Sequence, residues 1–289
     1  MNIRIIPRLD IKGPNLVKGI HFEGLRVLGK PEQFARFYYE NGADELFYQD
    51  TVASLYGRNS LLDIIRKTSR ETFIPLCVGG GLRSAEDIRK VLRAGADKVA
   101  INTEAILNPG IIKEAVQSFG SSTIIVSIEA IKKKDNSYEA CINYGRDLTG
   151  LDAVEWAKKA VDLGAGELFV TAIDKEGTGE GFDIDLTRRI AGGVSVPVVA
   201  CGGCGSVENI FEVINKGMAD AVSIASILHY YLVENGKLAL EDESFVDEGN
   251  TTFLNEGRGF GKIDASTIQE IKNSLFTKGV SCRIENYNP

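Results

Sequence analysis

The chain has 289 residues, 44% of them hydrophobic and 25% charged, the composition of a soluble globular protein with a sizeable core. A net charge of −7 without any basic stripe argues against nucleic-acid binding, but not against a phosphorylated small molecule, since backbone N–H groups at helix N-termini bind phosphate whatever the net charge. The start, Met1–Pro7, is too short and too soon interrupted by charge for a signal peptide, and no apolar run approaches the ~18 residues of a membrane helix. Five scattered cysteines (Cys77, Cys141, Cys201, Cys204, Cys282) fit a reducing cytoplasm better than a disulfide scaffold.

In chain order, Val/Ile/Leu-rich runs predict strands at Ile3–Leu9, Glu45–Asp50, Ile74–Val78, Lys98–Ile101, Thr123–Ile128, Glu167–Ala172, Val196–Ala200 and Ala221–Ala225. Helical patterns fall between and after them, at Pro31–Asn41, Ser60–Ser69, Ser84–Ala94, Pro109–Phe119, Asp152–Leu163, Asp185–Ala191, Ser206–Lys216 and Ala265–Lys278. Strict alternation implies parallel strands covered on both faces, and about eight such units close a (β/α)₈ barrel, taken as a single domain over 1–289. Between strand 8 and the last helix, 231–263 reads as a polar, Gly-punctuated insertion, long enough to expect function or mobility.

The halves echo each other. Pro75-Leu-Cys-Val-Gly-Gly-Gly81 and Asp97–Thr103 recur as Pro197-Val-Val-Ala-Cys-Gly-Gly203 and Asp220–Ser226, and Gly42–Phe47 recurs as Gly164–Phe169. A constant offset near half the barrel predicts a duplicated (βα)₄ unit. In that register Asp10, ending strand 1, faces Glu129, ending strand 5, at the C-terminal rim where barrel enzymes place their chemistry. Two facing carboxylates suit separate general-acid and general-base roles, although one Asp at a strand end is more often a loop cap.

Gly79–Gly81 and Gly202–Gly203 are either tight turns needing positive φ or, with Ser84 and Ser206 opening the next helices, a pair of phosphate cradles. The neighbouring Asn102-Thr103 and Ala225-Ser226 would complete the cradles. Two cradles across one mouth suggest a substrate with a phosphate at each end. Lys18 reads equally as a phosphate partner or as a solvated lysine. Cys201-Gly-Gly-Cys204 is one isolated pair lying in a phosphate turn, so no metal is assigned to it. His21 and His229 lie too far apart for a nucleophile triad. Arg4, Glu45, Lys98 and Glu167 stand at strand starts, where alternating charges would close the barrel floor for stability.

With these motifs in hand, the chain resembles the HisF family, the cyclase subunit of imidazole glycerol phosphate synthase. The resemblance rests on Arg4-Ile-Ile-Pro-Arg-Leu-Asp10, Val17-Lys-Gly19, Gly42–Leu46, Val78–Gly81, Ala96–Thr103, Phe119-Gly120 and Gly177-Thr178, and covers nearly everything except 231–263. It implies a HisH-type glutaminase that releases ammonia at the barrel floor. The ammonia passes through the barrel to a bis-phosphorylated formimino-aminoimidazole carboxamide ribonucleotide, giving imidazole glycerol phosphate and aminoimidazole carboxamide ribotide without a cofactor. The resemblance makes Asp10 an acid/base, with Lys18, Asp50, Asn102 and Thr171 lining the site. It assigns Gly80, Gly81, Asn102 and Thr103 to one phosphate, and Glu176, Gly177, Gly202, Gly203, Ala225 and Ser226 to the other end. Arg4, Glu45, Lys98 and Glu167 become an ammonia gate, with Asp97 at the glutaminase interface.

Three positions depart from the family pattern: Glu129 and Glu176 stand where the family has Asp, and Arg8 where it has Cys. A carboxylate moved by one methylene, by ~1 Å, can cost on the order of a hundredfold in rate, and Arg8 could hold Asp10 ionised. The resemblance therefore carries an alternative: a HisF-like subunit that passes glutaminase-derived ammonia to a separate amidotransferase in surface-sugar amidation.

Overall fold

The structure, a computed structural model, describes residues 2–53, 61–235 and 262–284. Eight parallel strands close a barrel in the order β1 (Arg4–Lys12), β4 (Leu46–Asp50), β5 (Leu76–Gly79), β6 (Lys98–Ile101), β7 (Ile124–Lys132), β10 (Glu167–Ala172), β11 (Val198–Cys201) and β12 (Ala221–Ile224). β12 pairs back onto β1 through Arg4↔Ala221 to Pro7↔Ile224, which closes the ring. This is the expected (β/α)₈ fold. Among the described residues the helices are α1 (Pro31–Glu40), α2 (Leu62–Glu71), α3 (Ala85–Ala94), α4 (Thr103–Leu107), α5 (Gly110–Phe119), α6 (Ala153–Asp162), α7 (Ile184–Ala191), α8 (Val207–Asn215), α9 (Ser226–Glu234) and α10 (Ile268–Thr277).

The duplication is visible in repeated local chemistry. Ser84 and Ser206 each cap a helix by accepting from the backbone N–H three residues on, an arrangement worth about 1 kcal/mol. At the floor, Asp97 accepts from the Leu76 N–H and Asp220 from the Val198 N–H, each at 2.9 Å. These paired contacts start strands β5 and β11 at equivalent heights, so the two glycine turns emerge on the same rim.

Side chains alternate across each strand, so every second residue enters the lumen. On β1 that series is Arg4, Ile6, Arg8, Asp10; on β10 it is Glu167, Phe169, Thr171; on β7 it is Ile125, Ser127, Glu129. The other face builds the large core between barrel and helices. Inside, Ile6, Phe47, Cys77, Ala100, Ile125 and Phe169 form a separate buried cluster. Phe47 and Phe169 come from strands four apart around the ring and stack at 4.2 Å between centroids, bridging the lumen.

Several boundaries differ from the sequence reading. β1 runs past Asp10 to Lys12 and β7 runs past Glu129 to Lys132, because each continues into an antiparallel ribbon. β1 pairs with β2 (Asn15–Ile20), which pairs with β3 (Glu23–Gly29); β7 pairs with β8 (Tyr138–Ile142), which pairs with β9 (Asp147–Asp152). Asp10 and Glu129 therefore sit within strands, at the level where each leaves the barrel, rather than at strand ends. Two helices were also missed, α4 and α9. The latter absorbs 231–234, so the expected insertion does not begin at Tyr231; 236–261 of it lie outside the described residues, as does Ser60 of the second expected helix.

The ribbons turn back over the mouth. The β2–β3 turn places His21 and Phe22 at φ 51° and 64°, and the β8–β9 loop places Asn143, Tyr144 and Gly145 at 56°, 60° and 74°. Phe22 and Tyr144 meet with ring centroids 4.1 Å apart, and with Cys141 and Ile173 they form a small apolar cap.

Candidate active site

At the floor, the four expected residues form a closed ring. Arg4 Nη1 lies 3.0 Å from Glu45 Oε2, Lys98 Nζ lies 2.9 Å from the same oxygen and 3.1 Å from Glu167 Oε2, and Arg4 also pairs with Glu167. The carboxylates are almost fully buried while the Arg4 and Lys98 side chains keep about a quarter and a fifth of their surface. Burial pushes the Glu45 carboxyl up, partly offset by Lys98, with the Glu167 charge adding to the rise. A ring of two cations and two anions is neutral, so the floor is shut without an uncompensated charge.

Above the Phe47–Phe169 stack lies Arg8, 2% exposed. Its Nε donates to Asp10 Oδ1 at 2.8 Å and its Nη1 to Thr171 Oγ1 at 3.3 Å, with Cys201 Sγ at 3.4 Å. The guanidinium also faces the rings of Phe22, Phe47 and Phe169 at 5.3, 5.9 and 6.0 Å. Burial works against its charge, but Asp10 and the Cys201 and Glu176 fields outweigh it and hold its pKa well above the ordinary value. The charge on Arg8 is therefore permanent.

Lys18, on β2, is neither solvated nor free: it is 2% exposed and paired with Glu176. Burial opposes both charges, yet the mutual attraction prevails, raising Lys18 and lowering Glu176. The rim thus holds two buried cations, Arg8 and Lys18, matched by two buried anions, Asp10 and Glu176. Glu129 takes part in neither pair. It stands opposite Asp10 around the ring and is 4% exposed; burial pushes its pKa up to about 7, with Arg8 and the Gly145 N–H pulling down and Asp10 pushing up. The Gly145 N–H donates to Glu129 Oε2 at 2.8 Å.

Glu129 opens onto a cavity of about 320 Å³ that is also lined by Gly80, Gly81, Asn102, Thr103 and Tyr144. Gly80 and Gly81 adopt φ 104° and 68°, a left-handed backbone that favours glycine. The structure thus brings the first expected phosphate turn and the acid/base candidate to one cavity. Glu176, Gly177, Gly202, Gly203, Ala225 and Ser226 gather on the other side of the mouth around a space of only about 10 Å³, room for a single water. A side chain at Gly203 would collide with the Gly181 carbonyl, so this turn accepts only glycine.

Two expected lining residues do other work. Asp50 Oδ1 accepts from the Val52 and Ala53 N–H groups, holding its loop. Thr171 is fully buried against Arg8. Asp97 is exposed beside the floor ring. Among the described residues no group of three or more His, Cys, Asp or Glu could hold a metal ion, and no helix is long and apolar enough to cross a membrane.

Sequence reasoning missed the cap. Tyr144 lines the cavity with its hydroxyl buried and unpartnered, and the neighbouring Asn143 N–H donates to Thr103 Oγ1 at 3.0 Å. The usable signal was Asn143-Tyr-Gly145 between the alternating run Tyr138–Ile142 and a second short run, a hairpin pattern. His229, fully buried, is likewise structural: Tyr38 Oη lies 2.6 Å from Nδ1 and the Arg8 carbonyl 2.9 Å from Nε2.

The family described as histidine biosynthesis protein matches residues 4–234. Over 207 residues, 72% of this chain and 98% of the relative, the chain is 52% identical to the imidazole glycerol phosphate synthase subunit HisF of Legionella pneumophila. With a closed eight-stranded barrel, duplicated glycine turns and facing rim carboxylates already in place, this match shows that the chain belongs to the HisF family.

Proposed function

We propose that this chain is the synthase subunit of a glutamine amidotransferase pair. It takes ammonia from a HisH-type glutaminase at the Arg4–Glu45–Lys98–Glu167 ring and uses it at the rim to convert a bis-phosphorylated formimino-aminoimidazole carboxamide ribonucleotide into imidazole glycerol phosphate and aminoimidazole carboxamide ribotide. The observation that carries the reading is Glu129. It is a buried carboxyl that exchanges its proton near pH 7, set in a cavity whose wall is a glycine turn suited to phosphate.

In this reading the phosphate nearer Glu129 sits on the Gly80–Gly81 and Asn102–Thr103 backbone, and the other uses Gly177, Gly202, Gly203, Ala225 and Ser226, whose turns part to admit it. Asp10, oriented by its bond from Arg8, accepts a proton from the attacking nitrogen. Glu129, its pKa pushed up to about 7 by burial, donates one to the departing group. Lys18 balances Glu176 and becomes a phosphate partner when the anion arrives. Asp97 lies on the glutaminase face.

A specific observation favours a second reading. Arg8 is bonded directly to Asp10 and lies over the Phe47–Phe169 stack inside the lumen. A subunit with its acid/base so engaged would serve as an ammonia-handling platform for a third protein, an amidotransferase acting on surface sugar. Turnover of the bis-phosphate by the isolated chain with ammonium salt separates the two. Measurable product supports the synthase; none, in a protein that still activates a HisH-type glutaminase, overturns it in favour of the platform.

A further inference from the structure

Tyr144 is an expensive residue to keep where it is. Its backbone lies in the left-handed region, φ 60°, between Asn143 and Gly145 that do the same, and a bulky residue there carries strain. It is 5% exposed. The ring is held by Phe22 at 4.1 Å, but the hydroxyl is buried with no hydrogen-bond partner, a cost that packing of the ring does not require. Phenylalanine would pack equally well. Strain and an orphaned buried donor on one side chain point to a ligand that the site awaits.

The cavity shows what that ligand offers. Asn102 lines the same space, and its Nδ2 donates to the Cys141 carbonyl at 3.2 Å while its Oδ1 is buried without a partner. The orphans are thus an amide oxygen, which needs a donor, and a phenol, which supplies a proton and accepts another. A hydroxyl group can donate to the one and accept from the other. Burial and the nearby Asp10 and Glu176 charges raise the phenol's pKa well above its ordinary value, so it stays protonated and acts as a donor.

We propose that Tyr144 is a further substrate-contacting residue of this site, donating a hydrogen bond to a hydroxyl of the polyol chain whose phosphate rests on Gly80, Gly81, Asn102 and Thr103. The proposal deepens the synthase reading and rests on its first phosphate turn, but not on turnover. Tyr144 then selects sugar phosphates over bare phosphate.

The test is calorimetric titration of the whole chain with two probes, glycerol 3-phosphate and inorganic phosphate, in wild type and in Tyr144→Phe. The wild type binds glycerol 3-phosphate more tightly than phosphate. In Tyr144→Phe the loss of one neutral hydrogen bond weakens glycerol 3-phosphate by roughly tenfold, leaves phosphate within about twofold, and raises the Tm of the unliganded protein by removing the buried orphan. Unchanged glycerol 3-phosphate affinity, or equal weakening of both probes, overturns the role of the hydroxyl while leaving the phosphate turn standing. A wild type that binds neither probe overturns both.

Discussion

Replacing Glu129 with Gln should stabilise the protein at alkaline pH while removing a group used in chemistry. The carboxyl moves from its ordinary 4.5 to about 7 on folding, a gap worth roughly 3 kcal/mol at about 1.4 kcal/mol per pH unit. The sign follows from proton counts. Below pH 4.5 the group is protonated folded and unfolded and costs nothing. Between 4.5 and 7 the folded state binds more protons, so stability falls as pH rises, and above 7 the full penalty applies. Gln keeps the shape and an oxygen for the Gly145 N–H without the charge. In urea titrations Glu129→Gln should be about 1–3 kcal/mol more stable than wild type at pH 8, the lower figure allowing for the lost attraction to Arg8, and equal to it at pH 4.5. With an m-value of about 3 kcal/mol/M the midpoint moves by at most about 1 M. A variant no more stable at pH 8 than at pH 4.5, relative to wild type, would refute the raised pKa of the buried Glu129 carboxyl.

Histidine 229 gives the opposite trend: burial lowers its pKa to about 3, so stability is lost as pH falls from 6.5, by roughly 2 kcal/mol at pH 5. Because Glu129 pulls the wild-type slope the other way over this range, the comparison is between proteins: relative to wild type, His229→Gln should gain roughly 2 kcal/mol in urea titrations on going from pH 7 to pH 5. Lys18→Met leaves Glu176 buried and unpaired and should cost about 3–5 kcal/mol; Lys18→Met with Glu176→Gln should recover much of it, a coupling that a double-mutant cycle measures. Lys98→Met opens the floor ring and strands Glu45 and Glu167 without one partner. In the complex it should depress glutamine-driven turnover several-fold more than ammonium-driven turnover, and equal loss in both would remove the floor ring from ammonia transfer.

The barrel was legible because its signals are local and repeated: eight apolar runs alternating with helical patterns, and glycine turns recurring at a constant offset. The floor and rim positions followed from strand starts and ends, which is how Arg4 fell at one mouth and Asp10 at the other. The ribbons were not legible by the same means. β2 and β3 break up their apolar residues with Lys18, Gly19, Gly24 and Arg26, and β9 is almost wholly exposed, so no apolar run marked them. Their absence from the sequence reading ended β1 and β7 too early and hid the cap, and with it Tyr144. Lys18 was misjudged as possibly solvated because its burial depends on Glu176, 158 residues away, and no local pattern encodes such a pair. Arg8 stood out as a departure from the family, but its contacts with Phe47, Phe169, Thr171 and Cys201 come from three other strands and exist only after closure.

The central claim, that ammonia enters at the floor ring and is consumed at the rim beside Glu129, is tested most directly by stoichiometry. In the complex with a HisH-type glutaminase, supplied with glutamine and the bis-phosphate, the account predicts one imidazole glycerol phosphate formed per glutamate released. Glu129→Gln should continue to release glutamate while free ammonia accumulates in solution. Glutamate released by the wild-type complex with no cyclised product, at saturating bis-phosphate, would contradict it.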